Sequence, residues 1–157
     1  MYRVKKIIVW IALLSVMIAI YVFSSQNADA SDSLSEGLLS KILERVIDSF
    51  SEMEDGAKAE LINQYNRLIR KCAHYSIYTL LGFVLSRLWK FYKSQDRAFW
   101  KVLLIGALYA VTDEIHQLFV PGRSGSIIDV LIDTAGVFTG IILFGIFNSI
   151  VLKLRSK

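Results

Sequence analysis

The chain has 157 residues, 54% of them hydrophobic, and a mean hydropathy of +0.47. That length fits one domain, and the apolar share lies above the soluble range, so the composition reads as an all-α, polytopic membrane domain over residues 1–157. The net charge of +4 is scattered at the ends of apolar runs, with no basic stripe, which excludes a nucleic-acid partner; the single cysteine, Cys72, excludes an intramolecular disulfide and a Cys-rich zinc site.

A basic head (M-Y-R-V-K-K) precedes seventeen residues, 7–23, without a formal charge. The A-x-A pattern Ala28-Asp29-Ala30 allows a cleaved signal peptide, whose core is usually 7–15 residues. The longer run favours a retained first span. Residues 30–70 are polar, acidic and helical in period. Leu34, Leu38, Leu39, Ile42, Val46 and Ile47 form one apolar stripe behind a Ser33/Glu36 capping box. A second amphipathic helix is expected from about 53 to 70, with Leu61, Ile62, Tyr65, Leu68 and Ile69 on its apolar face. The two helices lie on the membrane or cap the spans; a lid over the site is the sharper alternative.

Three further spans follow, at about 72–91, 99–119 and 127–152. Trp89, Phe91 and Tyr92 form an interfacial belt, Arg87 and Lys90 can snorkel, and residues 93–97 make a short basic turn. Pro121, the only proline, marks the turn between the last two spans. Gly136 and Gly140 have the G-x-x-x-G spacing that lets helices approach closely, and Gly145 lies further along. With the amino terminus inside, inner segments carry eleven basic residues against one acid, and outer segments carry seven against thirteen. The positive-inside rule therefore predicts four spans of the bacterial cell membrane, both termini cytoplasmic and the 30–70 segment outside.

This topology gathers the polar residues of residues 109–133. At about 1.5 Å per residue, Tyr78, Asp113 and Asp133 each lie roughly 9 Å below the outer ends of their helices. His74 and Glu114 sit near that level, with Arg70, Lys71, His116, Gln117, Arg123 and Asp129 at the rim. Arg70, His74 and Tyr78 share a helix face, as do Asp113 with His116 and Gln117, and Asp129 with Asp133. Charges in mid-bilayer cost about 2.5–3.5 kcal/mol each on insertion scales. A set of ion pairs fixing helix register is the plain reading; a buried polar site is the sharper one. Three chemistries suit such a site. His74 with Asp113, His116, Asp129 or Asp133 offers ligands for a divalent metal, although D-E-x-H is not a recognised metal spacing. Glu114, His74 and Asp113 are the candidates for acid–base work. Arg70, Lys71 and Arg123, with the Gly122–Ser126 loop at a helix start, suit a lipid phosphate. No cofactor is named by any motif. A non-enzymatic binding protein and a hydrolase or transferase acting on a phospholipid or polyprenyl phosphate both remain open.

The segments R-K-C-A-H-Y-S-I-Y-T-L-L-G (70–82), T-D-E-I-H-Q-L-F-V-P-G-R-S-G-S (112–126) and D-V-L-I-D-T-A-G (129–136) resemble VanZ-like membrane proteins. The Phe23-Ser24-Ser25-Gln26 exit of the first span is similar as well. The resemblance implies a multi-pass envelope protein of Gram-positive type bacteria, linked to low-level teicoplanin resistance, and implies no reaction. Its polar set falls on Lys71, His74, Tyr78, Asp113, Glu114, His116, Gln117, Arg123 and Asp129. Asp133, where the pattern leads one to expect asparagine, and the acidic 30–70 segment depart from it.

Overall fold

A computed structural model describes residues 2–26, 39–92 and 98–156. The cleavage pattern, the capping box, Leu34, Leu38 and the 93–97 turn lie outside the described residues. The described residues form five helices and no strand: α1 (Tyr2–Ser24), α2 (helical over 39–46), α3 (Asp55–Trp89), α4 (Ala98–Gln117) and α5 (Ile127–Arg155). By length and composition, α1 and α5 are able to cross a membrane. Lys101, Asp113 and Glu114 fall within the 20 residues of α4, and polar residues including His74 and Arg87 run through the last 18 residues of α3, so neither is as continuously apolar.

The expected pair of elements at 53–70 and 72–91 is one continuous 35-residue helix. Hydropathy changes at Arg70–Cys72, but no Gly or Pro stands there to break the backbone, and helix-forming residues run through it. The polar half also packs differently from expectation. Leu61 and Ile62 rest on a small cluster of Leu39, Leu43 and Phe50, whereas Tyr65, Leu68 and Ile69 are exposed. In α2 the buried residues are Leu39 and Leu43; Ile42 and Val46 face outward.

The helix directions follow from their contacts. Lys71 meets Asp129, Tyr75 Oη meets Thr139 Oγ1 at 2.7 Å, and Lys90 meets Asn148, so α3 and α5 run parallel. Ser24 meets Asp113, and Tyr109 Oη donates to the Met17 carbonyl at 2.9 Å, so α1 runs alongside α4. Tyr2 Oη donates to the Phe91 carbonyl at the opposite end, making α1 antiparallel to α3. That end is ringed by cations on aromatic faces: Lys6 over Tyr92, Arg87 over Phe91 and Lys101 over Trp89.

The core between the helices holds Leu13, Val16, Ile20, Tyr78, Leu81, Leu85, Val102, Ala110 and Val137. α3 packs most extensively on α5. The seam is backbone on backbone: a Cβ on Gly82 would overlap the Val137 backbone, and one on Gly140 would overlap the Thr79 carbonyl and Phe83 nitrogen. Gly136 sits against the Tyr75 carbonyl in the same way, so the glycine spacing expected to bring helices close does so here against α3. Gly145 has open space around it.

Candidate functional site

At the Ser24 end of the bundle, α1, α3, α4 and α5 converge on one polar cluster. His74 of α3 stands between two carboxylates: its Nδ1 is 3.5 Å from Asp133 Oδ2 of α5 and 4.0 Å from Asp113 Oδ2 of α4. Both acids are buried, Asp133 to 1% exposure. Asp113 Oδ2 accepts from Ser24 Oγ at 2.8 Å and from Gln117 Nε2 at 3.3 Å. Neither Asp133 oxygen has a hydrogen-bond partner among the described residues, and the same holds for the hydroxyl of the fully buried Tyr78. The Tyr78 ring is stacked 6.5 Å from that of His74.

The α4–α5 connection is shaped to close over this cluster. Arg123 N–H donates to the Val120 carbonyl at 3.1 Å, and Gly122 has φ 76°, so Val120-Pro121-Gly122-Arg123 forms a turn of type II character with glycine where a positive φ is required. Ser126 caps α5 by accepting from Ile128 N–H at 3.2 Å. Glu114 Oε2 in turn accepts from the Ser126 N–H at 2.7 Å, tying the loop back to α4. Arg123 donates from Nε to the Gln26 carbonyl at 2.9 Å and from Nη2 to the Phe23 carbonyl at 3.1 Å. A cation thus satisfies carbonyls at the end of α1, where the helix dipole is negative.

Between α3, the loop and the start of α5 lies a cavity of about 380 Å³. Arg67, Arg70, Lys71 and Arg123 supply its cations; Glu114, Asp129 and Asp133 supply its carboxylates; His74, Gln117, Ser124 and Ser126 complete the polar lining. Lys71 Nζ is 2.5 Å from Asp129 Oδ1, a half-exposed pair. Around this end the surface is apolar, with Phe119 and Ile127 more than four-fifths exposed and Leu131 also outward.

Residues matched by the VanZ/LLP1 family model run from 9 to 148, spanning all four long helices. The chain belongs to the VanZ/LLP1 family. No curated protein and no solved structure matches it. Family and apolar helices together identify a membrane protein.

Of the residues singled out from the sequence, Arg70, Lys71, His74, Glu114, Gln117, Arg123, Asp129 and Asp133 line the cavity. Asp113 and Tyr78 are packed behind His74. His116 is elsewhere: its ring stacks on Tyr21 at 4.7 Å and its Nε2 is 3.0 Å from Ser25 Oγ, against α1. His116 and Gln117, three and four residues on from Asp113, fall about 60° and about 40° to opposite sides of it, so they diverge: Gln117 reaches the Asp113 carboxylate and His116 turns to α1. Two contributors were not singled out. Arg67 precedes Lys71 by four residues and His74 by seven, a pattern visible only if α3 is read as unbroken. Ser24 gives no chemical signal beyond its place in the S-S-Q exit of α1.

Proposed function

We propose that the protein is a four-span membrane protein with both termini cytoplasmic, which holds the phosphate-bearing headgroup of a lipid-linked envelope ligand in this cavity from the outer face. The observation that carries the reading is the lining: three arginines and one lysine around about 380 Å³, at the mouth of a bundle whose surrounding surface is apolar. Guanidinium groups match phosphate oxygens in pairs, while the apolar rim suits an acyl or polyprenyl tail left in the bilayer. The alternation of helix directions fits four crossings, and the cations at the Tyr2 end fit a cytoplasmic side. A ligand held there would be withdrawn from a glycopeptide antibiotic, which is how the teicoplanin link of VanZ-like proteins enters this reading.

The test uses full-length protein in detergent with a phosphate-monoester lipid and the matching neutral alcohol. Preference for the phosphate lipid, weakened by at least about tenfold in Arg70→Gln, is expected; equal binding of both lipids would end the proposal. Topology is checked separately. In a Cys72→Ser background, needed because Cys72 is exposed, a cysteine replacing Ser51 should label only from outside, and labelling only from the cytoplasmic side would reverse the orientation. A second reading, a hydrolase or transferase on the same lipid, draws on the histidine between two buried carboxylates beside the cavity. Release of inorganic phosphate or of the free alcohol from bound lipid separates it from simple binding.

A further inference from the structure

We infer that His74, Asp113 and Asp133 form a binding site for one divalent transition-metal ion, best suited to Zn²⁺. One ligand atom from each residue lies within 4.8 Å of the other two, on three different helices. Zinc holds nitrogen and oxygen ligands at about 2.0–2.2 Å, and tetrahedral angles then set neighbouring ligands roughly 3.3–3.6 Å apart. The 3.5 Å from His74 Nδ1 to Asp133 Oδ2 already has that spacing, and the 4.0 Å to Asp113 Oδ2 needs a shift of a few tenths of an ångström. Calcium and magnesium prefer all-oxygen shells of six or more, so imidazole with two carboxylates selects a first-row ion instead.

An acid cluster alone would not carry this. Asp133 is 99% buried, and beyond the 3.5 Å approach of His74 Nδ1 to Oδ2 neither of its oxygens has a partner among the described residues. A buried carboxylate left so is costly unless a cation compensates it. One ion with a neutral imidazole would balance the two carboxylates. Asp113 is meanwhile steadied by Ser24 and Gln117, the outer contacts that orient a metal-binding carboxylate. His74 and Asp133 also line the cavity, so the fourth coordination position opens toward it. A structural reading, with a protonated His74 bridging the two acids, predicts no metal affinity at all.

The experiment needs no lipid, so its failure leaves the phosphate-lipid proposal standing, and failure of that proposal leaves this one. Full-length protein in detergent is stripped with chelator and titrated with Zn²⁺ by calorimetry, and with Co²⁺ by visible absorption. One ion per chain is expected, with the intense absorption of tetrahedral Co²⁺. Asp133→Asn and His74→Gln should each weaken binding by more than about 100-fold, beyond the roughly 10–100-fold that outer contacts contribute. His116→Ala, at the Tyr21 contact, should bind as wild type. If either ligand variant does not fold, the wild-type stoichiometry and Co²⁺ spectrum decide. No site in the wild type, an octahedral Co²⁺ spectrum, or wild-type affinity in a folded Asp133→Asn protein would overturn the assignment.

Discussion

The two halves of the α3–α5 seam are built from opposite materials. Toward the Tyr2 end, Gly82, Gly136 and Gly140 bring backbone against backbone, with Phe83 stacked edge-on against Phe144. Toward the Ser24 end, the same two helices face each other through Lys71 and Asp129, then His74 and Asp133. Between helices in lipid there is little hydrophobic drive, so close packing of small residues is what holds them together. The glycine half does that through backbone contact, with Lys90 meeting Asn148 beyond the glycines. The polar half is therefore not needed for association, and apolar side chains of similar size would have been cheaper there. A cavity also lies at the glycine half, beside Ser86, Phe144 and Asn148, but the arginines and carboxylates line the one at the polar half, and there the proposed ligand is placed.

The largest effect should come from damaging the glycine half. Gly140→Val would drive a branched side chain into the Thr79 carbonyl and Phe83 nitrogen. Overpacking costs about 1–3 kcal/mol and more against unyielding backbone, so at least about 3 kcal/mol and a large loss of folded protein are expected. Gly145→Ala, with open space around it, should stay within about 0.5 kcal/mol of wild type. Thermal melting of the two purified proteins checks both. Similar melting temperatures would show that the seam does not rest on close approach.

Next in size is Glu114, where the loop is fastened to α4. Glu114→Ala strands the Ser126 N–H that its carboxylate now receives, a loss of about 1–3 kcal/mol. Glu114→Gln keeps an oxygen acceptor and should melt close to wild type, yet lose lipid binding or envelope phenotype. Full function in a folded Glu114→Gln protein would remove its charge from the site and leave it as a loop fastener only.

Arg123 stands across the comparison, since it lines the cavity and also closes the end of α1. Arg123→Lys retains the charge but cannot reach both the Phe23 and Gln26 carbonyls in the same fork, and one lost hydrogen bond is worth about 0.5–1.5 kcal/mol. The sequence offers this side chain a phosphate as ligand, or a nearby acid as an ion-pair partner fixing helix register. The structure adds a second role, so a modest fall in melting temperature should accompany weaker lipid binding. A fall in binding with no change in melting would mean that the α1 contacts contribute nothing.

How far such assignments reach from sequence depends on what each residue signals. The meeting of α3, α4 and α5 polar groups was legible because charge asymmetry orders the helices and 1.5 Å per residue then sets depth; His74, Asp113 and Asp133 do lie together. The 35-residue α3 was not legible, because a change in composition at Arg70–Cys72 looks like a boundary while the backbone meets no breaker. Arg67 was lost with it. The separation of His116 from Gln117 was not legible, because the two fall on opposite sides of the Asp113 face and only the position of α1 decides which turns inward. Ser24 was invisible, since a hydroxyl at a helix end is common and only the Asp113 carboxylate opposite gives it a role. Length and composition identify α1 and α5 as able to cross a membrane; the proposal of four crossings adds charge and helix direction to that.

The smallest expected effect on stability is at Lys71 and Asp129, and it is the sharpest division between fold and ligand. Their side chains are 41% and 31% exposed, with Lys71 Nζ 2.5 Å from Asp129 Oδ1. Pairs open to solvent contribute about 0.2–1 kcal/mol in double-mutant cycles, because water screens the attraction and two long side chains lose freedom. Lys71→Met, Asp129→Asn and the double variant should therefore melt near wild type, with a coupling below about 1 kcal/mol. For a phosphate the two single changes have opposite signs. Lys71→Met removes an attractive charge and should weaken phosphate-lipid binding by roughly tenfold, about 1.4 kcal/mol. Asp129→Asn removes a repulsive charge and frees the ammonium from its partner, so binding should hold or tighten. If both single variants weaken binding equally, the pair acts as a preformed unit that shapes the cavity. If both lower the melting temperature by several degrees and leave binding intact, the polar half of the seam joins the glycine half as part of what holds α3 to α5.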